Sequence, residues 1–510
     1  MAGCSNNKCG LTQSELEAEA QKIMDNGLDS DSEFSDQVSE HSDHQTDSEE
    51  EWDDDGEEDI QNDSSQSSSE SSTEENSISD NRNSYFGKNR FKWAKSPPAS
   101  SRTRKHNIIS HLPGIIGEAR LKMPKEPLQA WECLISDDII QEILTKTNER
   151  ITFMASKYNL HNLSCQYTNH LDVIELKAFL GLLYLAGVFK SNNEDLRSLF
   201  ATNGTGRDIF RATMSLNRFY FLLASLCFDD PVTRLERIAN GDNLAAISNI
   251  FNTFITNCQS NYSCGEYVTI DEMLVAFRGR CKFRMYLKSK PDKYGLKMQC
   301  LVDTKTHYLL NSFIYSGKDT HKTNPRKLAI PTLDVLALIP PISGTNRNVT
   351  ADNWFSSVEL IRELRKHNIT YVGTLKKNKR EVPYEFQPHK DRPANSALFG
   401  FTGSESLVSF VPKKNRAVLL VSTMHHSNAM VNGKPEIVNF YNETKGGVDS
   451  LDKKCACYKT GRRTRRWPQV IWFRILDIAG VNANVIFNGV QRNKIMERRR
   501  FLTTLGQQLI

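Results

Sequence analysis

The sequence predicts an α/β fold: a mixed strand-and-helix core, mainly helical flanking segments and a disordered acidic tail. Three observations predict it. Between Ser30 and Asp80 there are twenty acidic residues and no Lys or Arg. From about 112 to 262 apolar residues recur at helical spacing. From Tyr267 onward the apolar runs become short and β-branched, with turn residues between them.

The tail, residues 1–110, is rich in Ser, Asp and Glu and then turns basic through KNRFKWAKSPP and RTRKH. Such a stretch cannot bury enough apolar surface to offset its ordering entropy, so disorder is expected. Its Ser and Thr residues beside acids suit an acid-directed kinase. The helical part, 111–265, holds LDVIELKAFLGLLYLAGVF within Thr168–Phe189, LNRFYFLLASLCF behind the cap-competent Ser215, and an amphipathic Asn249–Asn261. The core is expected in 266–377 and 431–457. Its first strand is YVTIDEMLVAF, with LKMQCLVD and HYLLNSFIYSG as a hairpin beside it. NVTADNWF ends a further strand, SSVELIRELRKHN is a helix capped by Ser356 or Ser357, and YVGTLKK is again a strand. Residues 378–430, with Pro383, Pro388, Pro393 and the runs LVSFVPK and AVLLVSTM, read as a separate β-rich insertion. A Gly446–Gly447 break precedes a helix carrying Asp449 and Asp452, and 458–510 is basic and helical.

Composition narrows the function classes. The net charge of +4 conceals roughly −23 over residues 1–80 and roughly +27 over 81–510. A basic folded part suits a polyanion such as nucleic acid, with a merely solvated surface as the bland alternative. The eleven cysteines are scattered without a CxxC pair or a following His cluster, so no zinc site is expected and reduced thiols are. No signal-peptide pattern is legible, and no apolar run reaches the ~18 residues of a membrane span. Ala178–Phe189, interrupted by Gly181 and Gly187, reads as a buried helix. Without a Walker loop or a Ser-His-Asp pattern, neither a nucleotide cofactor nor a covalent nucleophile is expected.

Three acids stand in unusual places: Asp271 inside an apolar strand, Asp352 at a strand end, Asp449 at a Gly-rich helix entry. A buried carboxylate is costly without a partner. Each alone is explained by a cap, a turn or a salt bridge. Together they suit phosphodiester chemistry, in which two hard divalent ions held by few carboxylates stabilise the attacking and leaving oxygens.

YVTIDEMLVAFRGRCKFRMYLKSKPDKYGLK, TADNWFSS, YNETKGGVDSLD, TRRWPQ and MSLNRFYFLLASLCFDD resemble, in order, segments of the piggyBac transposase family. The resemblance covers about 112 to 510. It implies an RNase H-like catalytic core split by the β-rich insertion, beside a helical dimerisation and DNA-binding domain. It also implies Asp271, Asp352 and Asp449 as catalytic metal ligands and Asp452 as a further acid near the metal. Two Mg2+ or Mn2+ ions, double-stranded DNA at transposon ends and TTAA targets, a homodimer and a nuclear location follow from it as expectations.

The basic residues fit such a partner. Arg278, Arg280, Lys282, Arg284, Lys288, Lys290, Lys293 and Lys297 follow the first acid, and Arg462, Arg463, Arg465 and Arg466 precede Trp467. Cations beside a metal site hold phosphates without reading sequence. The Arg cluster also suits nuclear import. Trp467 is read equally as a base-stacking residue and a core anchor, and Trp354 as packing. Family members commonly end in a Cys-rich zinc module, and this sequence stops at Leu509–Ile510 without one. A metal-dependent transposase is therefore the leading reading. Two alternatives are a domesticated DNA-binding protein without transposition and a scaffold acting through the acidic tail.

Overall fold

The computed structural model describes residues 83–99, 107–157, 166–321, 324–491 and 495–510. The acidic stretch of the predicted tail lies outside them. Within the same tail, strands β1 (Ser84–Phe86) and β2 (Lys92–Ala94) form an antiparallel hairpin, which corrects the expectation of disorder there. The reason is aromatic burial. Trp93 is 1% exposed, packs with Val382, Phe386 and Leu407, and donates its indole N–H to the Glu381 carbonyl at 2.9 Å. Lys88, Arg90, Lys92 and Lys95 stay at the surface, so a basic outer face hid the hairpin in the sequence.

The helical segment forms as its periodicity predicts. Strand β3 (Gly114–Ile115) pairs with β4 (Tyr262–Ser263). Between them lie α1 (Gly117–Lys122), α2 (Pro127–Glu132), α3 (Asp137–Lys157), α4 (Val173–Val188), α5 (Leu196–Leu199), α6 (Asp208–Thr213), α7 (Leu216–Ser225), α8 (Pro231–Ala239) and α9 (Ser248–Asn261). Asp172 caps α4 by accepting from the Glu175 amide, and Ser215 caps α7 by accepting from the Arg218 amide. Helix α4 is buried on nearly every face.

The core strands follow: β5 (Tyr267–Ala276), β6 (Met285–Tyr286), β7 (Tyr294–Asp303) and β8 (Leu309–Ile314), then α10 (Ile330–Leu338), β9 (Asn348–Ala351), α11 (Val358–Lys366) and β10 (Thr370–Thr374). Ser357 is the α11 cap. Then come β11 (Ala397–Phe401), β12 (Ser406–Lys413), β13 (Arg416–Ser422), the short pair β14 (Met430–Val431) and β15 (Lys434–Pro435), and α12 (Glu436–Thr444), α13 (Gly447–Cys457), α14 (Trp467–Val490) and α15 (Arg498–Leu509).

One eleven-stranded sheet runs β1-β2-β11-β12-β13-β10-β9-β5-β7-β6, with β8 also on β7. Strands β5, β9 and β10 are mutually parallel neighbours, and β7 and β8 form the expected hairpin beside β5. The stretch 378–430 is β-rich as predicted. It is not separate, because β13 pairs antiparallel with β10 and extends the same sheet. A large apolar core joins the helical segment to the parallel half, while two smaller clusters lie along the antiparallel flank.

Helix α14 is long and apolar enough to cross a membrane by length and composition, contrary to the run-length expectation, but 83% of its apolar window is buried inside the protein. It carries the buried Arg474 and Asp477, which broke the run in sequence. Its Asn482 amide accepts from the Leu309 N–H at 2.9 Å and donates to the Leu309 carbonyl at 3.0 Å, substituting for a strand partner.

Candidate active site

Parallel register brings two of the three singled-out acids together. Ile270 on β5 partners Ala351 on β9, so Asp271 and Asp352 are the next step of the same ladder and leave it side by side. Adjacent strands lie ~4.8 Å apart, and ladder partners share a face. Burial, then Glu272 and Asp352, hold the Asp271 carboxyl well above the usual carboxylate range. Burial and Glu272 push Asp352 up to about 6, although the Trp354 and Phe355 amides pull it back. The Trp354 N–H reaches Asp352 Oδ1 at 2.9 Å. Two neighbouring carboxylates in a poorly solvated place disfavour double ionisation.

Helix α13 brings the third acid. A Cβ at Gly447 would stand 2.5 Å from Thr269 Oγ1, so only glycine lets this helix start against β5. Thr269 Oγ1 donates to the Thr444 carbonyl at 2.7 Å, tying the end of α12 to the same strand. Asp449 lies in the first turn of α13 with its side chain 58% exposed. Asp452, one turn on, forms an ion pair with Arg474 at 3.0 Å.

The acids do not close into the expected three-membered cage: among the described residues, no group of three His, Cys, Asp or Glu is placed to hold one ion. Lys290 supplies the physical reason. Its Nζ lies 3.9 Å from Asp449 Oδ1 and 3.9 Å from Glu272 Oε1, and donates to the Glu272 carbonyl at 3.2 Å. Burial opposes its charge, but Glu272, Asp271, Asp449 and Asp452 together hold its ammonium above the ordinary lysine value. Lys290 thus faces several carboxylates, of which Asp452 is also paired with Arg474. Clustered hard oxygen donors of this kind are what a divalent ion takes.

Sequence reasoning missed Glu272. It is 2% exposed, and its Oε2 has no hydrogen-bond partner. The signal was two successive acids in an apolar strand.

The predicted phosphate-binding residues divide into groups. Arg278, Arg280, Lys282, Lys288, Lys293, Arg463 and Arg465 are exposed. Arg284 donates to the Arg278 and Gly279 carbonyls and shapes the loop that carries Lys290. Arg462 donates to the Ser191 and Glu194 carbonyls, and Arg466 to those of Ala224 and Leu226, so both tie segments together. Lys297 corrects its assignment: on β7, a strand buried on both faces, it is 3% exposed, its ammonium 5.6 Å from the Trp354 ring centre. Trp467 packs on the main core, edge-on to Phe283 at 5.1 Å, which favours the anchor reading. Trp354 packs there too.

With this geometry in hand, comparison with known proteins is decisive. The family described as transposase IS4 matches residues 126–484. The fold matches that of a piggyBac transposase solved as a synaptic complex with hairpin DNA, with a TM-score of 0.74 and 33% identity, covering 78% of this chain and 82% of that one. The chain belongs to the piggyBac transposase family. Human piggyBac transposable element-derived protein 3 is 22% identical over 373 residues, 67% of this chain and 58% of its own length. Human piggyBac transposable element-derived protein 2 is 23% identical over 385 residues, 70% and 60% of the two lengths. The piggyBac-type chain described here thus spans about three fifths of these curated relatives.

Proposed function

We propose that this chain is a divalent-metal-dependent DNA transposase, cutting strands at transposon ends and joining them at TTAA targets in the nucleus, as a homodimer. The observation that carries the reading is the adjacent Asp271–Asp352 pair with Asp449 held nearby through Lys290. The order of the core strands, a hairpin on one side of β5 and two parallel strands on the other, supports an RNase H-like catalytic domain. Asp271 and Asp352 would hold the metal, Mg2+ or Mn2+, with Asp449 completing the set and Asp452 beside it. The ions supply charge stabilisation at the reacting phosphate. The chain's own residues align Asp271 and Asp352 on one sheet face, bring Asp449 up on a helix, and offer Arg278, Arg280, Lys288 and Arg463 to flanking phosphates.

The test is nicking of a plasmid carrying the element's own ends and TTAA flanks, by the full chain with Mg2+ or Mn2+. Asp271→Asn is expected to cut more than ~100-fold more slowly while melting no lower than wild type, because it relieves carboxylate repulsion. Equal nicking by the variant removes the assigned chemistry. A second reading, a DNA-binding protein without transposition, is favoured by the three acids not converging as one ligand set among the described residues. Steeply salt-dependent DNA binding without nicking in either metal selects it.

A further inference from the structure

Away from the acids, four elements converge on an open cavity of about 370 Å3 lined by Val188, Phe189, Lys190, Arg207, Tyr458 and Arg499. A Cβ at Gly187 would stand 2.8 Å from the Tyr458 carbonyl, so the end of α4 meets the end of α13 through a residue without a side chain. The Lys190 ammonium lies 5.4 Å from the Tyr458 ring centre and the Arg498 guanidinium 4.9 Å from it. Arg207 stands 4.4 Å from the Phe189 ring centre. These are cation–π distances, which fix the positions of the charges without neutralising them.

No carboxylate lines the cavity, and among the described residues Lys190, Arg207, Arg498 and Arg499 make no ion pair. The nearest polar contacts are weak: Arg207 Nη2 to Ser191 Oγ at 3.4 Å and Lys190 Nζ to Cys457 Sγ at 3.7 Å. Arg498 Nη1 is buried and has no acceptor. The two helix C-termini here, of α4 and α13, offer about half a negative charge each. Four full positive charges exceed that, so helix-end compensation does not explain the cluster.

We propose that this cavity binds a phosphate group of the DNA backbone, a proposal that rests on the DNA-transposase reading above. Tyr458 follows the helix whose first turn carries Asp449, nine residues earlier. At ~1.5 Å per helical residue the two lie ~14 Å apart along that axis. A duplex rising ~3.4 Å per step spans this in about four steps. The cavity therefore anchors the strand about four nucleotides from the bond at the acids. Recognition is of charge alone, since the Tyr458 ring already carries cations.

The test uses the full chain with the double variant Lys190→Ala/Arg499→Ala and duplex DNA bearing the element's ends, titrated by anisotropy from low to physiological salt. The variant is expected to bind about tenfold more weakly near physiological salt, with a log–log salt slope smaller by about 1. Lys190→Arg/Arg499→Lys should restore both. A scan of single neutral methylphosphonates should find one position that weakens wild type and leaves the double variant unchanged. Wild-type affinity and slope in a normally melting double variant overturn the proposal and leave the DNA reading intact. Absence of DNA binding by wild type overturns both. Should inorganic phosphate raise the melting temperature of wild type alone, with DNA affinity equal in the two, the site serves a small phosphate and the backbone assignment falls.

Discussion

The two halves of the sheet treat buried polar groups in opposite ways. On the antiparallel flank three buried serine hydroxyls are each satisfied. Ser406 Oγ donates to the His425 carbonyl at 2.7 Å, Ser409 Oγ donates to that of Phe386 at 2.6 Å, and Ser422 Oγ meets His425 Nδ1 at 2.9 Å. In the parallel half, beside buried hydroxyls and amides, carboxylates crowd near Lys290, with Glu272 Oε2 unsatisfied. Satisfied neutral groups cost little, whereas charged and underpaired ones cost several kcal/mol. The flank is built for stability. The parallel half retains a destabilising cluster, and perturbed carboxylates of that kind gather at functional sites.

The largest effect expected from this contrast is Trp93→Ala. Removing a side chain that is 1% exposed should cost ~3–5 kcal/mol, read as a lower urea midpoint. Nicking per folded molecule should persist, because Trp93 belongs to a cluster apart from the acids. Lost nicking with an unchanged midpoint would dissolve the contrast.

Next comes pH, where the halves carry opposite signs. Burial pushes the His425 imidazole down to about 4. Between pH 6.5 and 4 the unfolded chain binds a proton that the folded one lacks, so stability falls as pH drops, by up to ~3 kcal/mol. Asp352, raised to about 6, runs the other way. From about pH 4 to 6 the folded chain keeps a proton that the unfolded one releases, so stability falls as pH rises. Unfolding free energies from pH 4 to 7 in EDTA should show His425→Gln removing the acid-side loss and Asp352→Asn the opposing one. A common sign for both variants would contradict the assignment.

These halves were unequally legible in sequence. Strands β5, β7, β8 and β10 and helices α4, α7, α9 and α11 were readable, because periodicity, caps and turns agreed at each. The hairpin β1–β2 was not, since exposed Lys and Arg are interleaved with the aromatics that bury it. Continuity of β13 with β10 is a long-range pairing that no local pattern encodes. At the site, Asp271 and Asp352 were visible as misplaced acids. Lys297 was misread because a charge count is blind to a central strand that is buried on both faces. Lys290 stood among the basic residues, but its place between α13 and β5 depends on a loop folded by Arg284.

The smallest expected effect tests what that lysine does. Lys290→Met removes the cation that faces Glu272, Asp271 and Asp449 and, beside Arg474, Asp452. In EDTA their repulsion is then unrelieved, and the melting temperature should fall by a few degrees, on the scale of ~1 kcal/mol. Added Mn2+ should raise it more in the variant than in wild type, because the ion no longer competes with an ammonium for Asp449. Equal Mn2+ shifts in the two proteins would mean that Lys290 and the ion do not share a place. The cluster would then be a fixed ion-pair network, built for stability like the flank it was contrasted with.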